Sequence, residues 1–296
     1  MDLKNFIKRP LYHIAGRISK VSRDFQNHSD QKLILQKDKV WNDLFNDKNF
    51  FEYFLNKEIK INLYKDSVLS RLIYDGFEEQ ESDFLIATLK EDDVFIDAGT
   101  NIGLFSLLAS KLVGAKGQVV CFEPSPLTYK RLVENVLLNE IKNIDCRNIG
   151  LSDKQEELLF YTSLNGHDAW NSFAPSQDNK LEKEITVPVS TLDIELQNID
   201  KARIKLVKID VEGWEKFVLH GGKDFFLNYQ PIVMVEFTEE NTFNAGYSVH
   251  EIFDIMEGFG YTWYRICDGE LQVEVKKLRY PYVNLIAINK NRKEAS

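Results

Sequence analysis

The chain has few of the residues that staple or punctuate a fold. Three cysteines in 296 residues (Cys121, Cys146, Cys267) are too few and too scattered for a disulfide framework or a zinc site; they fit free thiols in a reducing compartment. Fifteen glycines and seven prolines exclude collagen-like and low-complexity architectures. No run of about 18 apolar residues occurs, so no membrane-spanning helix is expected. The basic N-terminus is not followed by an uninterrupted apolar stretch and does not read as a secretory signal. Cations are in deficit: 37 Lys and Arg against 46 Asp and Glu leave −9. That balance argues against nucleic acid as a partner, because phosphate-backbone affinity comes from Lys and Arg releasing counterions.

What is present is ordinary for a soluble globular protein: 44% hydrophobic and 28% charged residues, in a length that suits one large domain or two modest ones. The first 40 residues stand apart. They hold nine Lys and Arg against four Asp, or +5, which leaves −14 for the remainder. Ile7, Leu11, Ile14, Ile18, Val21 and Phe25 recur at steps of four and three, an amphipathic helix with Pro10 in its first turn. Such a helix docks on its own domain or on a second copy of the chain; the sharper alternative is peripheral contact of residues 1–25 with an anionic membrane. The expected location is accordingly cytoplasmic, or peripheral to the inner face of a membrane.

Residues 1–93 read as a helical and mixed extension, with a helix over Trp41–Leu55, a strand over Ile59–Tyr64 and a helix over Glu78–Leu89. From residue 94 strands and helices alternate: Val94–Ile96, Leu104–Leu112, Gln118–Phe122, Ser125–Leu138, Ile144–Ile149, Lys205–Ile209, Glu215–Phe226, Ile232–Phe237, Ser248–Phe259, Tyr261–Ile266 and Tyr282–Ile288. This rhythm predicts a mostly parallel sheet with helices on both faces, over 94–296. Asp268-Gly269 is a hairpin signal. Residues 154–192 break the rhythm as a β-rich insertion, with strands near Leu158–Tyr161 and Ile185–Val189.

Three segments carry chemistry. Asp97-Ala98-Gly99-Thr100-Asn101-Ile102-Gly103 sits where the first core strand gives way to a helix, the place where open α/β sheets bind ligands. Gly99 permits a tight turn and close backbone approach. The spacing is neither G-x-G-x-x-G nor a P-loop, and Asp97 would repel a pyrophosphate. It suits a ligand with an ammonium or cationic centre, as in S-adenosylmethionine (SAM). Glu123, ending the second core strand, stands where an acid accepts two ribose hydroxyls, which fits NAD and SAM equally. Asp210 and Glu212, in Lys208-Ile209-Asp210-Val211-Glu212-Gly213-Trp214-Glu215, end a third strand and point toward the same crevice. Glu215 reads as a helix N-terminal acid.

Together with Gly150-Leu151-Ser152-Asp153, Thr191-Leu192-Asp193 and the lead-in Gly76-Phe77-Glu78, these segments resemble, in order, the FkbM-type family of SAM-dependent methyltransferases over about residues 70–265. Thr100 departs from the small Ala commoner in that family. The resemblance implies a Rossmann-like class I methyltransferase fold: a mostly parallel seven-stranded sheet whose last strand is antiparallel. It implies SAM as cofactor, with Asp97, Gly99, Gly103 and Asn101 at the methionine end, Glu123 on the ribose, Ser152 and Asp153 near the adenine, and Asp210 and Glu212 facing the transferring methyl or the acceptor. It further implies O-methylation, most readily of a sugar or glycan hydroxyl and alternatively of a polyketide, peptide or other natural-product scaffold.

A hydroxyl is a weak nucleophile and needs a base. The candidates are Asp210, Glu212, His167 in the insertion, and Glu236 at the end of Ile232–Val235. Trp170, Phe173 and Tyr161 are candidates for stacking on an acceptor or, equally, for the core of a hairpin, the better use for Tyr161. A metal-assisted reaction needs converging ligands, and the sequence alone does not bring Asp210, Glu236 and His167 together, so no metal site is assigned. Three other readings stay open. Intact Asp97, Glu123 and Asp210 argue against a non-catalytic SAM- or nucleotide-binding protein; the missing third glycine argues against a Rossmann oxidoreductase; the acidic charge argues against an RNA methyltransferase. The partner is a small-molecule or glycan acceptor, and a homodimer is open.

Overall fold

The computed structural model describes residues 38–163, 168–175 and 182–291. The helix expected over residues 7–25 therefore lies outside the described residues, as does His167. The chain divides into two compact units, residues 1–51 and 52–296. In the first, residues 38–43 are helical, and Trp41, Phe45 and Phe51 pack edge to face with ring centroids 5.0, 5.8 and 5.1 Å apart. Residues 52–93, expected with the N-terminal extension, belong to the larger unit. The helix expected over Trp41–Leu55 stops early: Asn46 and Asp47 take positive φ, and the aromatic run that follows, suited to a pleated surface, forms strand β1 (Phe50–Phe54).

In the larger unit β2 (Lys60–Tyr64) completes a two-stranded ribbon with β1. Helices α1 (Val68–Tyr74) and α2 (Glu79–Thr88) lead to the alternating region. There follow β3 (Val94–Ala98), α3 (Leu104–Leu112), β4 (Gln118–Phe122), α4 (Pro126–Leu138) and β5 (Ile144–Arg147). β6 (Gly150–Leu151), β7 (Glu156–Ser163) and β8 (Glu182–Ser190) form a separate three-stranded sheet in the order β6-β8-β7, which is the β-rich insertion. After α5 (Leu192–Glu195) come β9 (Ile204–Ile209), α6 (Glu215–Gly221), α7 (Lys223–Tyr229), β10 (Ile232–Phe237), α8 (Glu239–Asn244), α9 (His250–Gly258), β11 (Tyr261–Cys267), β12 (Glu270–Val273) and β13 (Val283–Asn289).

The main sheet runs β12-β11-β13-β10-β9-β3-β4-β5. β10, β9, β3, β4 and β5 are parallel, and β13 returns antiparallel between β10 and β11. It has eight strands rather than the expected seven because the Asp268-Gly269 turn, both residues at positive φ, folds β12 back on β11. The helix expected over Glu215–Phe226 is two helices. Gly221 lies so close to the carbonyl oxygen of Ser152 that a Cβ there would meet it at 2.0 Å, and the chain turns at Gly222.

Strand alternation sorts the core. Ile96, Ala98, Val207, Ile209, Val233, Val235, Leu285 and Ala287 face one side and pack with Val218, Leu219, Phe226, Ile252 and Met256 of the covering helices. Their alternates face the other way, toward α3, and at the C-terminal ends of the strands these are polar: Asp97, Lys208, Glu236 and, opposite Glu236 on β13, Asn284. Asp97 and Lys208 are cross-strand partners. The site is thus a row of polar residues on one face, at the end of a sheet whose interior is apolar, beside β3, where the strand order reverses.

Candidate active site

A cleft of about 150 Å³ opens over these strand ends. Among its described lining residues are six acids (Glu78, Asp97, Glu123, Asp210, Glu212, Glu236) and one basic residue, Lys208. Apolar walls come from Leu69, Leu72, Phe77, Leu104, Phe105 and, on the insertion side, Leu151, Phe160 and Phe173.

The first loop is held from within. Gly99 N and Thr100 N both donate to Phe122 O at 3.1 Å. Asp97, 1% exposed, accepts from the hydroxyls of Thr100 and Ser106 through Oδ2, at 2.7 and 2.6 Å, while its Oδ1 has no hydrogen-bond partner. Thr100, the departure from the family pattern, thus fixes the acid beside it. Burial raises the Asp97 carboxyl above its usual range, against Lys208 and the two hydroxyls. Asn101 stands at φ 51, donates its backbone N–H to Glu123 Oε2 at 3.1 Å and its Nδ2 to Asp168 O at 3.1 Å, and keeps a buried Oδ1 without partner.

Glu123 also accepts from Ser125 N at 2.9 Å. Burial pushes its carboxyl up to about 8, although both backbone donors favour the ionised form. Lys208 Nζ lies 2.6 Å from Asp210 Oδ2 and 4.7 Å from the Phe105 ring centroid. Burial works against the ammonium, but Asp210, Glu78 and Asp97 outweigh it and raise its pKa.

The loop after β9 is built around Glu215, as its reading as a helix N-terminal acid suggests. Its Oε1 accepts from the backbone of Val211 and Gly213 at 3.1 Å, and its Oε2 from the Tyr247 hydroxyl at 3.2 Å. Glu212 sits at φ 53, its Oε2 accepting from Asn241 Nδ2 at 2.5 Å and its carbonyl from Ser172 Oγ at 2.6 Å. Burial and then the neighbouring acids raise both Glu212 and Glu236 well above the usual carboxylate range.

The structure brings together Asp97, Gly99, Asn101, Glu123, Asp210, Glu212 and Glu236 as residues lining one cleft. It places three candidates elsewhere. Gly103 faces Leu132 and Leu107, where it lets α3 pack closely. Ser152 is buried as a joint, its Oγ accepting from Trp214 Nε1 at 3.1 Å, and Asp153 is exposed; the cleft is lined instead by their neighbours Ile149, Gly150 and Leu151. The short β6 pairs with β8 here, and Ser152 N continues the ladder by donating to Ser190 O at 2.8 Å. Of the aromatics, Trp170 lines the cleft while 54% exposed, and Phe173 lines it while packed on Phe160; Tyr161 pairs through its backbone with Ser172.

Lys208, Glu78, Asn284 and Tyr282 surround the same acids and were not singled out from the sequence. Tyr282 Oη and Asn284 Nδ2 both donate to Glu78 Oε1, at 3.0 and 2.7 Å. Lys208 did leave a signal: a lysine inside Ile204–Ile209, two residues before an acid.

A parallel sheet closed by an antiparallel strand, with carboxylates in place of a phosphate-binding loop at its switch point, defines a class I SAM-dependent methyltransferase. The methyltransferase FkbM domain model matches residues 97–262, and the chain belongs to that family. It is 27% identical over 169 residues to Methyltransferase 1 of Beauveria bassiana, covering 51% of this chain and 67% of that protein. It is 32% identical to the hexuronic acid methyltransferase AglP of Haloferax volcanii (46% of this chain, 53% of that protein). It is 25% identical to the 2-O-methyltransferase NoeI of Sinorhizobium fredii (57% and 73%). The chain thus spans about half to three quarters of these relatives. Among solved structures, an FkbM methyltransferase from Methylobacillus flagellatus aligns at TM-score 0.42 and 13% identity, over 74% of this chain and 54% of that one. No described helix is long and apolar enough to cross a membrane.

Proposed function

We propose that the chain methylates a hydroxyl on a neutral sugar or glycan, using SAM. The observation that carries this reading is the convergence of cofactor-end acids (Asp97, Glu123) and strand-end acids (Asp210, Glu212, Glu236) in one cleft. SAM supplies an activated methyl on a sulfonium, with S-adenosylhomocysteine as leaving group. The donor set fits it: the unpartnered oxygens of Asp97 and Asn101 await an ammonium or other donor, Glu123 awaits the ribose hydroxyls, and Phe122, Ile149 and Leu151 offer an apolar seat for the adenine. Asp210, Glu212 and Glu236 line the acceptor end, where one of the three carboxylates takes the hydroxyl proton as the oxygen attacks the methyl carbon. Placing that oxygen in line with the methyl is the larger part of the task. Trp170, which lines the cleft while 54% exposed, is an aromatic that an acceptor would meet. The hexuronic acid in the name of AglP supports a sugar, and the 2-O-methyltransferase in that of NoeI supports transfer to oxygen; six acids against one lysine favour a neutral ring over a free uronate.

The test is a thermal-shift titration with SAM, S-adenosylhomocysteine and NAD on wild type and Asp97→Ala, followed by labelled-methyl transfer to nucleotide sugars, glycolipids, oligosaccharides, polyketides and peptides. A ligand at a hundredfold excess over Kd adds about 2.7 kcal/mol, each kcal/mol being worth roughly 2–4 °C. Adenosyl ligands alone should shift wild type, and Asp97→Ala should lose most of the shift. Stabilisation by NAD alone, or turnover confined to polyketide or peptide, would contradict the proposal.

Glu123 makes ribose binding pH-dependent. Its carboxyl, at about 8 against the ordinary 4.5, is protonated in the free protein at neutral pH, whereas two ribose hydroxyls need the carboxylate as acceptor. Binding therefore releases a proton below pH ~8 and none well above it. Affinity should tighten as pH rises toward ~8, by up to about tenfold per unit, and then level. 5′-Methylthioadenosine isolates this term, since it has the ribose but no amino-acid end. Calorimetry in buffers of different ionisation enthalpy reads the proton directly, and Glu123→Gln should abolish the release. A pH-independent affinity in wild type would refute the assignment of Glu123 to the ribose.

A further inference from the structure

Asp210 and Glu236 do meet, and the third group beside them is Glu212. One carboxylate oxygen from each of the three lies within 4.8 Å of the other two. We infer that Asp210, Glu212 and Glu236 together bind one hard divalent cation, of the Mg²⁺, Mn²⁺ or Ca²⁺ class, at the acceptor end of the cleft. Oxygens bound to one such ion at roughly 2.0–2.6 Å lie no more than about 4–5 Å apart, so the three are already within one coordination sphere.

The second observation is a pair of stranded acceptors. Glu236 is 6% exposed and its Oε2 has no hydrogen-bond partner. Asn284, its cross-strand partner on β13 and on the same face, is 4% exposed with its Oδ1 equally unpartnered. Buried acceptors are costly unless something electropositive reaches them. Asp97 also keeps one oxygen without partner but accepts two hydroxyls through the other, and Glu123 and Glu215 accept backbone N–H groups. Asp210 and Glu212 are each steadied through one oxygen, on Lys208 and on Asn241, as outer partners steady metal ligands. An all-oxygen set without His or Cys selects hard cations over zinc or copper.

Beside the transferring methyl such an ion would hold the acceptor through its hydroxyl and a neighbouring oxygen. That placement rests on the methyltransferase reading; the cation site itself does not.

Chelator-stripped full-length protein titrated with Mn²⁺, read by the loss of the free aqueous Mn²⁺ spin-resonance signal, tests the inference without turnover. Wild type should take up one Mn²⁺ per chain, displaced by Mg²⁺ or Ca²⁺. Glu236→Gln and Asp210→Asn should each weaken uptake at least tenfold, with folding of each verified by circular dichroism. No uptake by wild type at roughly millimolar Mn²⁺, or uptake unchanged in both variants, would overturn it. S-adenosylhomocysteine calorimetry on the same samples separates the two readings. Wild type that binds the nucleoside but no Mn²⁺ loses only the cation site; wild type that binds Mn²⁺ but no nucleoside loses only the cofactor assignment.

Discussion

Lys208→Met should cost about 3–5 kcal/mol of folding stability, the range for stripping the partner from a buried charge. Lys208 is 4% exposed, its ammonium lies 2.6 Å from Asp210, and its field reaches Asp97 and Glu78. Methionine fills a similar volume, so the loss is electrostatic rather than a cavity. Lys208 holds the Asp97 and Glu78 carboxyls lower than burial alone would put them. Without it their folded-state pKa values climb further above the unfolded ones. A raised carboxyl is harmless while protonated and costs stability as pH rises through the gap. The difference between wild type and variant should therefore be smallest near pH 5 and largest near pH 8. Lys208→Arg, which keeps the charge but not the fit, should fall between. Urea denaturation at the two pH values measures all of this. A variant within about 1 kcal/mol of wild type at pH 8 would mean that the buried acids do not depend on this cation.

The strand ends that carry Asp97, Glu123, Asp210 and Glu236 were legible in the sequence because each follows a short apolar run, and a buried parallel strand shows itself that way. The order of those runs also predicted the sheet. What stayed hidden depends on register between distant strands. Asn284 joins Glu236 only because β13 pairs antiparallel with β10, 48 residues later in the chain, and no local pattern encodes that pairing. Lys208 hid for a different reason. A lysine in a strand ordinarily marks an exposed face, and its burial makes sense only once Asp97 is known to sit opposite it. Ser152 and Asp153 were assigned to the adenine on the order of motifs, but Ser152 is buried against Trp214, a residue distant in sequence, and Asp153 is exposed. The expected single helix after Glu215 failed on a contact with the Ser152 carbonyl, which is again tertiary. Hydrophobic period locates elements; the partner across the sheet decides which polar residue on them is buried.

Gly99→Ala should be the most damaging single-methyl change in the cofactor loop, and a second glycine makes the reason separable. Gly99 has φ +82, and a Cβ on it would stand 1.7 Å from the Asp210 carbonyl oxygen and 2.8 Å from its carbon. Neither is the end of a flexible side chain. Asp210 N donates to Ala98 O at 3.0 Å, so the ends of β3 and β9 are tied together where the methyl would enter. Accommodating it means prising the two loops apart and moving Asp210 with them. Gly246 has nearly the same φ, +83, but no atom within 4 Å of the Cβ position. Gly246→Ala therefore reports the left-handed backbone cost alone, about 1–2 kcal/mol. Gly99→Ala adds a steric cost of about 1–3 kcal/mol. S-adenosylhomocysteine affinity should fall at least tenfold in Gly99→Ala and stay unchanged in Gly246→Ala, because only the first shifts residues that line the cleft. Urea midpoints and calorimetry on both variants check this. Equal losses of stability, with affinity intact in Gly99→Ala, would show that the loops part without cost and that their close approach does not shape the site.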